Sequence, residues 1–534
     1  MPMPAHAPVR SPCRAPLAAA APAPLARRRP SGGPRQRRLT LALAGLAATL
    51  ACGAAAAQEP STIEARPAEA RITLERLKLP GNETLGLAGT SYLVDVGRGF
   101  AFGPAAFGAI SGDRGGLFTI GAELAYRQSL YGPLRAEAGL YAGGGGGGAL
   151  PVRDGLMLRP HIDLLYDLGP FNVGVSWSRV RFVGTPYDSD QVGLVLSANT
   201  SFTYIPRDRM DVPVAAVGRP GAGFDRVQGV LGVYQPRGGN DRVGGGNLPD
   251  SIGFAGIRAE RAFNGIAYWG LEANAGTQGG VTGYVEYLGT VGVETGIGDQ
   301  TFSLGGRVAL GMGGGGGVDT GGGLLTKASV YGAMRLTRDL AATVEAGVTR
   351  APQGNFRATH GSASLIWIFD DVGNVFSPSR TTRTEFAAGI ERLDAARQDG
   401  RTRPLTAVVL KANRFLDKNL YVAGQAHSAV DGGAGGYTAG LFGVGWQQAM
   451  GTPGSGPTWH VGIEALAGAG GGGGVDVRGG ALLQPNVYVG VDLGPTTALR
   501  ISAGQLRAQR GDLKSTVVDV SLVFAFGLAG QGAR

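Results

Sequence analysis

The chain contains 534 residues and carries a formal net charge of +9. This charge belongs to the amino terminus, because eight arginines and no acidic residue precede Gln58. Of the 49 basic residues, 41 remain beyond that point against 40 acidic ones, so the composition gives no indication of a nucleic-acid partner. Both cysteines, Cys13 and Cys52, lie in the same leading segment, which excludes disulfides and cysteine metal sites from the rest of the chain.

Residues 1–57 predict a secretory signal with a long basic leader. An apolar run from Leu39 to Leu50 follows the arginines, and Ala55 to Ala57 offers the small residues of a cleavage site. We therefore expect an exported protein. Lipid attachment at Cys52 stays open as an alternative, although Thr49 replaces the leucine that is usual in a bacterial lipobox.

The exported part predicts strands, because no uninterrupted apolar run approaches the roughly 18 residues of a membrane-spanning helix. Its apolar residues alternate with polar ones, as strand side chains alternate between faces. Near the carboxy terminus Val518, Val520 and Leu522 fall on one face, whereas Asp519 and Ser521 fall on the other. The same alternation is found in soluble β-sandwiches, so that fold remains an alternative.

A pattern of strands and glycine runs recurs roughly every 160 residues, which indicates three diverged copies of one unit. Equivalent glycine-broken segments begin at Leu134, Phe302 and Trp459. The predicted division is a leader (1–57), a short periplasmic segment (58–82), repeat 1 (83–204), a linker (205–223), repeat 2 (224–369), a second linker (370–384), repeat 3 (385–526) and a tail (527–534).

Repeat 3 predicts eight strands, at 385–393, 406–414, 420–428, 437–447, 458–468, 484–492, 498–507 and 516–526. Alternate connections are short, such as Leu416–Asn419 and Leu493–Pro495, and predict periplasmic turns. Glycine-rich connections such as Gly470–Gly480 predict outer loops. In repeat 1 the first strand is poorly defined, near Arg71 to Leu79.

Three units of this kind predict an all-β fold of about 24 antiparallel strands in a transmembrane β-barrel. We expect a single wide barrel, because the inward positions are often glycine, serine or alanine and would leave a small barrel poorly packed. The alternative is three eight-stranded barrels in tandem, which the long linkers favour.

The run from Val517 to Phe526 resembles the carboxy-terminal signature of bacterial outer-membrane β-barrel proteins, in which alternating apolar residues end on phenylalanine. This resemblance is to a broad class and implies a protein of the outer membrane of a Gram-negative bacterium. It also implies contact with outer-membrane lipid and lipopolysaccharide, and insertion by the outer-membrane barrel-assembly machinery.

Charged residues occupy matching inward positions of the three repeats, which makes them candidates for the wall of a lumen. They form two sets: Glu137, Arg307 and Glu464, and Asp167, Arg335 and Asp492. A solvated wall residue is the plainer interpretation of each, so the ligand of any such site stays unknown.

The sequence predicts a passive pore or export channel for solutes or polymers, with a non-conducting structural or surface-adhesion barrel as the alternative. A barrel-type hydrolase ranks third, because only His427 and Ser428, near Asp431, place a base beside a nucleophile. Neither a metal-ligand spacing nor a cofactor motif is present, so we expect no metal and no cofactor.

Overall fold

A computed structural model describes residues 63–206, 223–263, 265–297, 301–337, 339–369, 379–451 and 458–531. Within these ranges the regular structure consists of 24 strands, and every pairing between them is antiparallel. No helix among the described residues is long and apolar enough to cross a membrane.

The strands fall into three sets of eight. The first set is β1 Glu64–Lys78, β2 Thr84–Gly97, β3 Phe100–Ser111, β4 Phe118–Ser129, β5 Leu134–Gly146, β6 Met157–Asp167, β7 Phe171–Phe182 and β8 Asp188–Pro206. The second is β9 Arg226–Pro236, β10 Ile252–Ala262, β11 Ala267–Gly276, β12 Val285–Ile297, β13 Phe302–Gly314, β14 Leu324–Arg335, β15 Leu340–Arg350 and β16 Arg357–Ile368. The third is β17 Ser379–Ala396, β18 Thr402–Phe415, β19 Leu420–Asp431, β20 Thr438–Met450, β21 Trp459–Gly471, β22 Ala481–Asp492, β23 Thr497–Ala508 and β24 Lys514–Gln531.

Each set closes on itself, because its first strand pairs with its eighth. The strands β9 and β16 close the second set. Within the other sixteen strands, β1 pairs with β8 from Glu64 to Glu75, and β17 pairs with β24 from Ser379 to Leu393. In contrast, β8 and β24 share only the pairs at Pro206 and Ile205. We call the three closed sets barrel 1, barrel 2 and barrel 3.

The expectation of a single wide barrel is therefore wrong, and the pairings agree with the alternative of eight-stranded barrels. Sequence order gives no information on whether β24 closes onto β17 or onto β1, since both strands carry the same alternation. All eight strands predicted for repeat 3 overlap β17 to β24.

Three predicted boundaries also differ from the structure. The segment 58–82, predicted to precede the barrel, contains β1, which pairs with both β2 and β8. The linker 370–384 already enters β17 at Ser379, and β24 continues to Gln531 inside the predicted tail. Most of the linker 205–223 lies outside the described residues, as does the leader 1–57.

Each barrel has two unlike ends. Short connections, such as residues 168–170 between β6 and β7, define the turn end. Longer glycine-rich connections, such as residues 147–156 between β5 and β6, define the loop end. Buried apolar side chains form a separate cluster in each barrel, with members such as Phe107 in barrel 1, Phe356 in barrel 2 and Val475 in barrel 3.

At the loop end the three barrels join in a closed cycle. In each pair of neighbouring barrels, the loop that follows the third strand of one barrel contacts the other barrel. The contact is made with the end of the other barrel's fifth strand or with the loop that follows it. Hydrogen bonds link all three pairs of barrels, among them Gly115 N to Gly321 O (2.9 Å), Gly479 N to the Thr282 hydroxyl (2.9 Å) and Gly436 N to Gly145 O (2.9 Å).

Candidate functional site

In the middle of the strands, polar side chains point into the barrels and apolar side chains point outward. On β7, Ser176 and Ser178 are fully buried, whereas the side chains of Val175 and Trp177 are each 49% exposed. Alternation along a strand places these two kinds of side chain on opposite faces. Water-soluble proteins usually bury apolar side chains and expose polar ones, and these strands do the reverse. The polar interiors are therefore the candidate sites.

In barrel 1 the interior is organised around the guanidinium of Arg71. This group donates to Glu137 (2.5 Å), Asp163 (3.2 Å) and Glu69 (3.0 Å), and all four side chains are buried. Glu137 also accepts a hydrogen bond from Arg127 (3.0 Å). Glu137, a candidate lumen residue, is therefore bonded within a buried network and is not a free wall charge.

In barrel 2 the second candidate, Arg307, is held in the same manner. Its guanidinium donates to Glu260 (2.7 Å) and lies 3.3 Å from a carboxylate oxygen of Glu345. Beside it, the Lys327 ammonium donates to Glu272 at 2.8 Å. Each cation is matched by at least one carboxylate, as buried charges must be to repay their desolvation.

In barrel 3 the third candidate, Glu464, accepts from the Lys411 ammonium (2.6 Å) and from the Tyr421 hydroxyl (2.8 Å). A second buried pair joins Arg500 to Glu385. The first glycine of the following loop is Gly472 in barrel 3, Gly315 in barrel 2 and Gly147 in barrel 1. Glu464 and Arg307 each precede that glycine by eight residues, whereas Glu137 precedes it by ten. The predicted equivalence of Glu137 is thus shifted by one inward position.

The other three candidates stand at the turn end of the barrels. Asp167 is exposed and accepts a hydrogen bond from the backbone N–H of Gly169 (2.7 Å), as a turn residue does. Asp492 pairs with His460, whose Nε2 lies 3.0 Å from its carboxylate. Arg335 ends β14 and is half-buried.

Inward glycines do not leave the small barrels empty, because tyrosine rings lie over them. A Cβ added to Gly462 would lie 2.2 Å from Tyr488, and one added to Gly305 would lie 2.2 Å from Tyr331. An eight-stranded barrel has an interior just wide enough for side chains to fill. The expected poor packing is wrong, since glycine makes room for aromatic and charged side chains from neighbouring strands.

One group of interior side chains has the spacing of a metal site. Glu123, Glu137 and His161 bring possible ligand atoms within 4.8 Å of one another. However, Arg71 Nη1 lies 3.4 Å from Glu123 and 2.5 Å from Glu137, so a guanidinium already occupies the cation position between the carboxylates. A bound metal ion would have to displace Arg71.

The possible catalytic group of the sequence does not assemble. His427 and Ser428 are neighbours within β19 and therefore point to opposite faces. His427 Nδ1 lies 3.0 Å from Glu391, on the inner side of barrel 3. Asp431 ends the same strand and accepts from the backbone N–H of Gly432 (2.8 Å). Ser428 is therefore not placed to act as a nucleophile with His427 as its base.

Sequence reasoning missed the partners of the candidate charges, above all Arg71 and Lys411. Both follow the alternation of their strands, which indicates an inward position. Alternation does not tell which inward residues of different strands lie within bonding distance of each other. That depends on how each barrel closes.

No protein-family model matches the chain, and no curated protein matches it. Among solved structures it is similar to a bacterial polysaccharide outer membrane secretin, with 8% identity, a TM-score of 0.23 and coverage of 86% of this chain and 97% of that one. It is similar to the outer membrane protein OpdK of Pseudomonas aeruginosa, with 11% identity, a TM-score of 0.22 and coverage of 87% and 99%. It is also similar to OccAB3 of Acinetobacter baumannii, with 8% identity, a TM-score of 0.22 and coverage of 87% of this chain and 99% of that one. With TM-scores this low, the similarities carry no argument about what this chain does.

Proposed function

We propose that the chain is an integral outer-membrane protein of three closed barrels, and that it serves as a non-conducting structural or surface-adhesion element. The observation that carries this proposal is the reversed polarity of the barrels, with bonded charges inside and exposed apolar side chains outside. From the sequence alone this role is the alternative to a pore, and the closed pairings now favour it.

The exterior supports a membrane position. Outward side chains such as Val489 and Ile501 are about half exposed, 47% and 52%, along strands of 12 residues. Strands of roughly 9–11 residues suffice to cross a bilayer. Exposed aromatic side chains concentrate at the turn end, as in the interfacial girdles of membrane barrels: Phe100, Tyr126, Tyr166, Phe171, Phe302, Trp446 and Trp459.

The interiors support the non-conducting role. The ion pairs of Arg71, Arg307 and Glu464 fill the middle of barrels 1, 2 and 3 in turn. A route for solutes through any one barrel requires several of these buried pairs to separate, and separation would leave uncompensated charges. A pore or export channel for solutes or polymers remains the competing proposal, and it needs such an opening.

The glycine-rich loops suit a structural or adhesive role at the cell surface. With short turns facing the periplasm, as membrane barrels usually have them, the loop end faces outward. There the loops of the three barrels are joined to one another by backbone hydrogen bonds, such as that from Gly436 to Gly145. A joined loop layer is a preorganised platform, and we propose insertion by the barrel-assembly machinery as for the class.

An outward charge tests the membrane position. An arginine at Val487, in the middle of β22 and 58% exposed, should destabilise the folded protein in lipid vesicles by about 2–4 kcal/mol if it faces the bilayer centre. An arginine at Thr516, exposed near the loop end of β24, should cost about 0–1 kcal/mol. Urea unfolding in vesicles, followed by heat-modifiable gel mobility, measures both. Equal, small effects of Val487→Arg and Thr516→Arg would contradict the membrane position.

A further inference from the structure

Three arginines stand side by side on the outer face of barrel 2, at its loop end. Arg350 and Arg357 are directly opposite each other on β15 and β16. The backbone N–H of Arg237, just after β9, donates to the carbonyl of Arg357 (2.7 Å). All three side chains are exposed. We refer to Arg237, Arg350 and Arg357 as the arginine row.

The row lies at the border of the apolar exterior. On β15 the outward residues before Arg350 are Val344 and Val348, which are 72% and 46% exposed. On β9 the corresponding outward residues are Leu231 and Val233, 68% and 43% exposed. On β15, Arg350 follows Val348 by one outward position, and on β9, Arg237 follows Val233 by two, with the polar Gln235 between them. This is the level at which a bilayer would change from acyl chains to headgroups.

Within the described part of the chain, no ion pair joins the arginine row to an acidic residue. The side chain of Arg237 donates to the Thr359 hydroxyl (3.2 Å), which supplies no negative charge. Like charges directly opposite each other on neighbouring strands are destabilising. The arrangement is thus unfavourable unless an anion lies against it.

The equivalent positions of barrels 3 and 1 differ in charge. In barrel 3 the equivalent pair is Arg507 and Lys514, again two exposed cations directly opposite each other. In barrel 1 the equivalent pair is Arg181 and Asp188, with Asp188 also bonded to Arg179 (2.7 Å). Barrel 1 carries its own counter-charge at this level, whereas the described residues of barrel 2 supply none.

We infer that the arginine row binds the phosphate groups of an outer-leaflet lipid headgroup, with the acyl chains lying along the apolar stripe below. Guanidinium groups match phosphate oxygens with paired hydrogen bonds, and three of them at one level suit a headgroup with more than one phosphate. This inference rests on the proposed membrane position of the barrels.

The test compares two lipids that differ only in their phosphates. The exported protein, residues 58–534, is folded in neutral detergent and titrated with bisphosphorylated lipid A, with the same lipid without phosphates, and with inorganic pyrophosphate alone. We expect the phosphorylated lipid to bind at least tenfold more tightly than the dephosphorylated one. A triple variant, Arg237→Gln, Arg350→Gln and Arg357→Gln, should lose this preference. The double variant Arg179→Gln, Arg181→Gln in barrel 1 is the matched control and should keep it.

The outcomes separate this inference from the proposed function. Normal heat-modifiable mobility of the wild type with no preference for the phosphorylated lipid, or an unchanged preference in the triple variant, overturns the headgroup site alone. Binding of pyrophosphate as tightly as the lipid overturns the lipid assignment and leaves an anion site. Failure of the wild type to fold in detergent or vesicles contradicts the membrane position itself.

Discussion

At the scale of single residues, removing one partner of a buried ion pair is predicted to lower the free energy of unfolding. Glu464→Gln keeps the shape of the side chain but removes the carboxylate that pairs with the buried Lys411 ammonium at 2.6 Å. Removing one partner of a buried pair costs about 3–5 kcal/mol. We expect a loss of this size in the free energy of unfolding, measured by urea titration of the protein in vesicles.

The matched control is the exposed pair of Asp399 and Arg403, whose side chains are 46% and 45% exposed. Asp399→Asn should cost less than about 1 kcal/mol, because water screens an exposed pair. A comparable cost for Asp399→Asn and Glu464→Gln would show that Glu464 faces water, as in a wide lumen.

A second residue-scale prediction concerns pH at the loop end. Hydrogen bonds from Arg114 hold the pKa of Glu83 below its usual value of 4.5. A carboxyl with a lowered folded pKa contributes stability above the unfolded pKa and loses it as the pH falls through the folded one. The stability difference between wild type and Glu83→Gln should therefore be small but present at neutral pH, and should shrink below pH 4.5. A difference that grows in acid would contradict this assignment.

At the scale of elements, the glycine-rich loops are predicted to act as joints between barrels. Gly116 has a φ of +90°, and a Cβ there would lie 2.4 Å from the backbone nitrogen of Gly315 in barrel 2. Gly245 has a similar φ of +94° but open space around it. Both alanine substitutions carry a backbone penalty of about 1–2 kcal/mol. Gly116→Ala should cost about 1–3 kcal/mol more, because it also pushes two loops apart.

Urea unfolding of the two variants side by side measures this difference. Equal costs for Gly116→Ala and Gly245→Ala would mean that the loops of barrels 1 and 2 do not touch in solution.

The elements also show how far sequence reasoning reaches. The strands of barrel 3 are predictable from alternation alone, because a half-buried strand displays its period locally. Barrel closure is not, since the partner of β24 is set by contacts between residues far apart in sequence, such as Phe526 and Thr384. The role of the glycine runs is likewise hidden, because their contacts belong to another barrel.

The candidate charges divide in the same way. An inward position follows from alternation for Glu137, Arg307 and Glu464, but their burial in bonded networks does not. Inward glycines such as Gly462 suggest a wide, empty interior, whereas the structure shows Tyr488 lying over that glycine. Composition along one strand does not reveal which neighbour fills the space beside it.

At the scale of the whole molecule, three closed barrels in one chain differ from one wide barrel in what can pass. In each barrel the interior holds bonded ion pairs and a buried apolar cluster, such as that around Phe107 and Tyr141 in barrel 1. One chain thus presents three filled cylinders joined at their loops. By our proposal, a molecule of this kind displays loops and holds lipid, and its described interiors offer no water-filled path.

The central claim is tested most directly by single-channel conductance of residues 58–534 in a planar bilayer, with insertion verified by heat-modifiable mobility of the same preparation. Three filled barrels predict a folded, inserted protein that gives no conductance steps. Large, regular steps from that preparation would contradict the closed interiors and restore the pore.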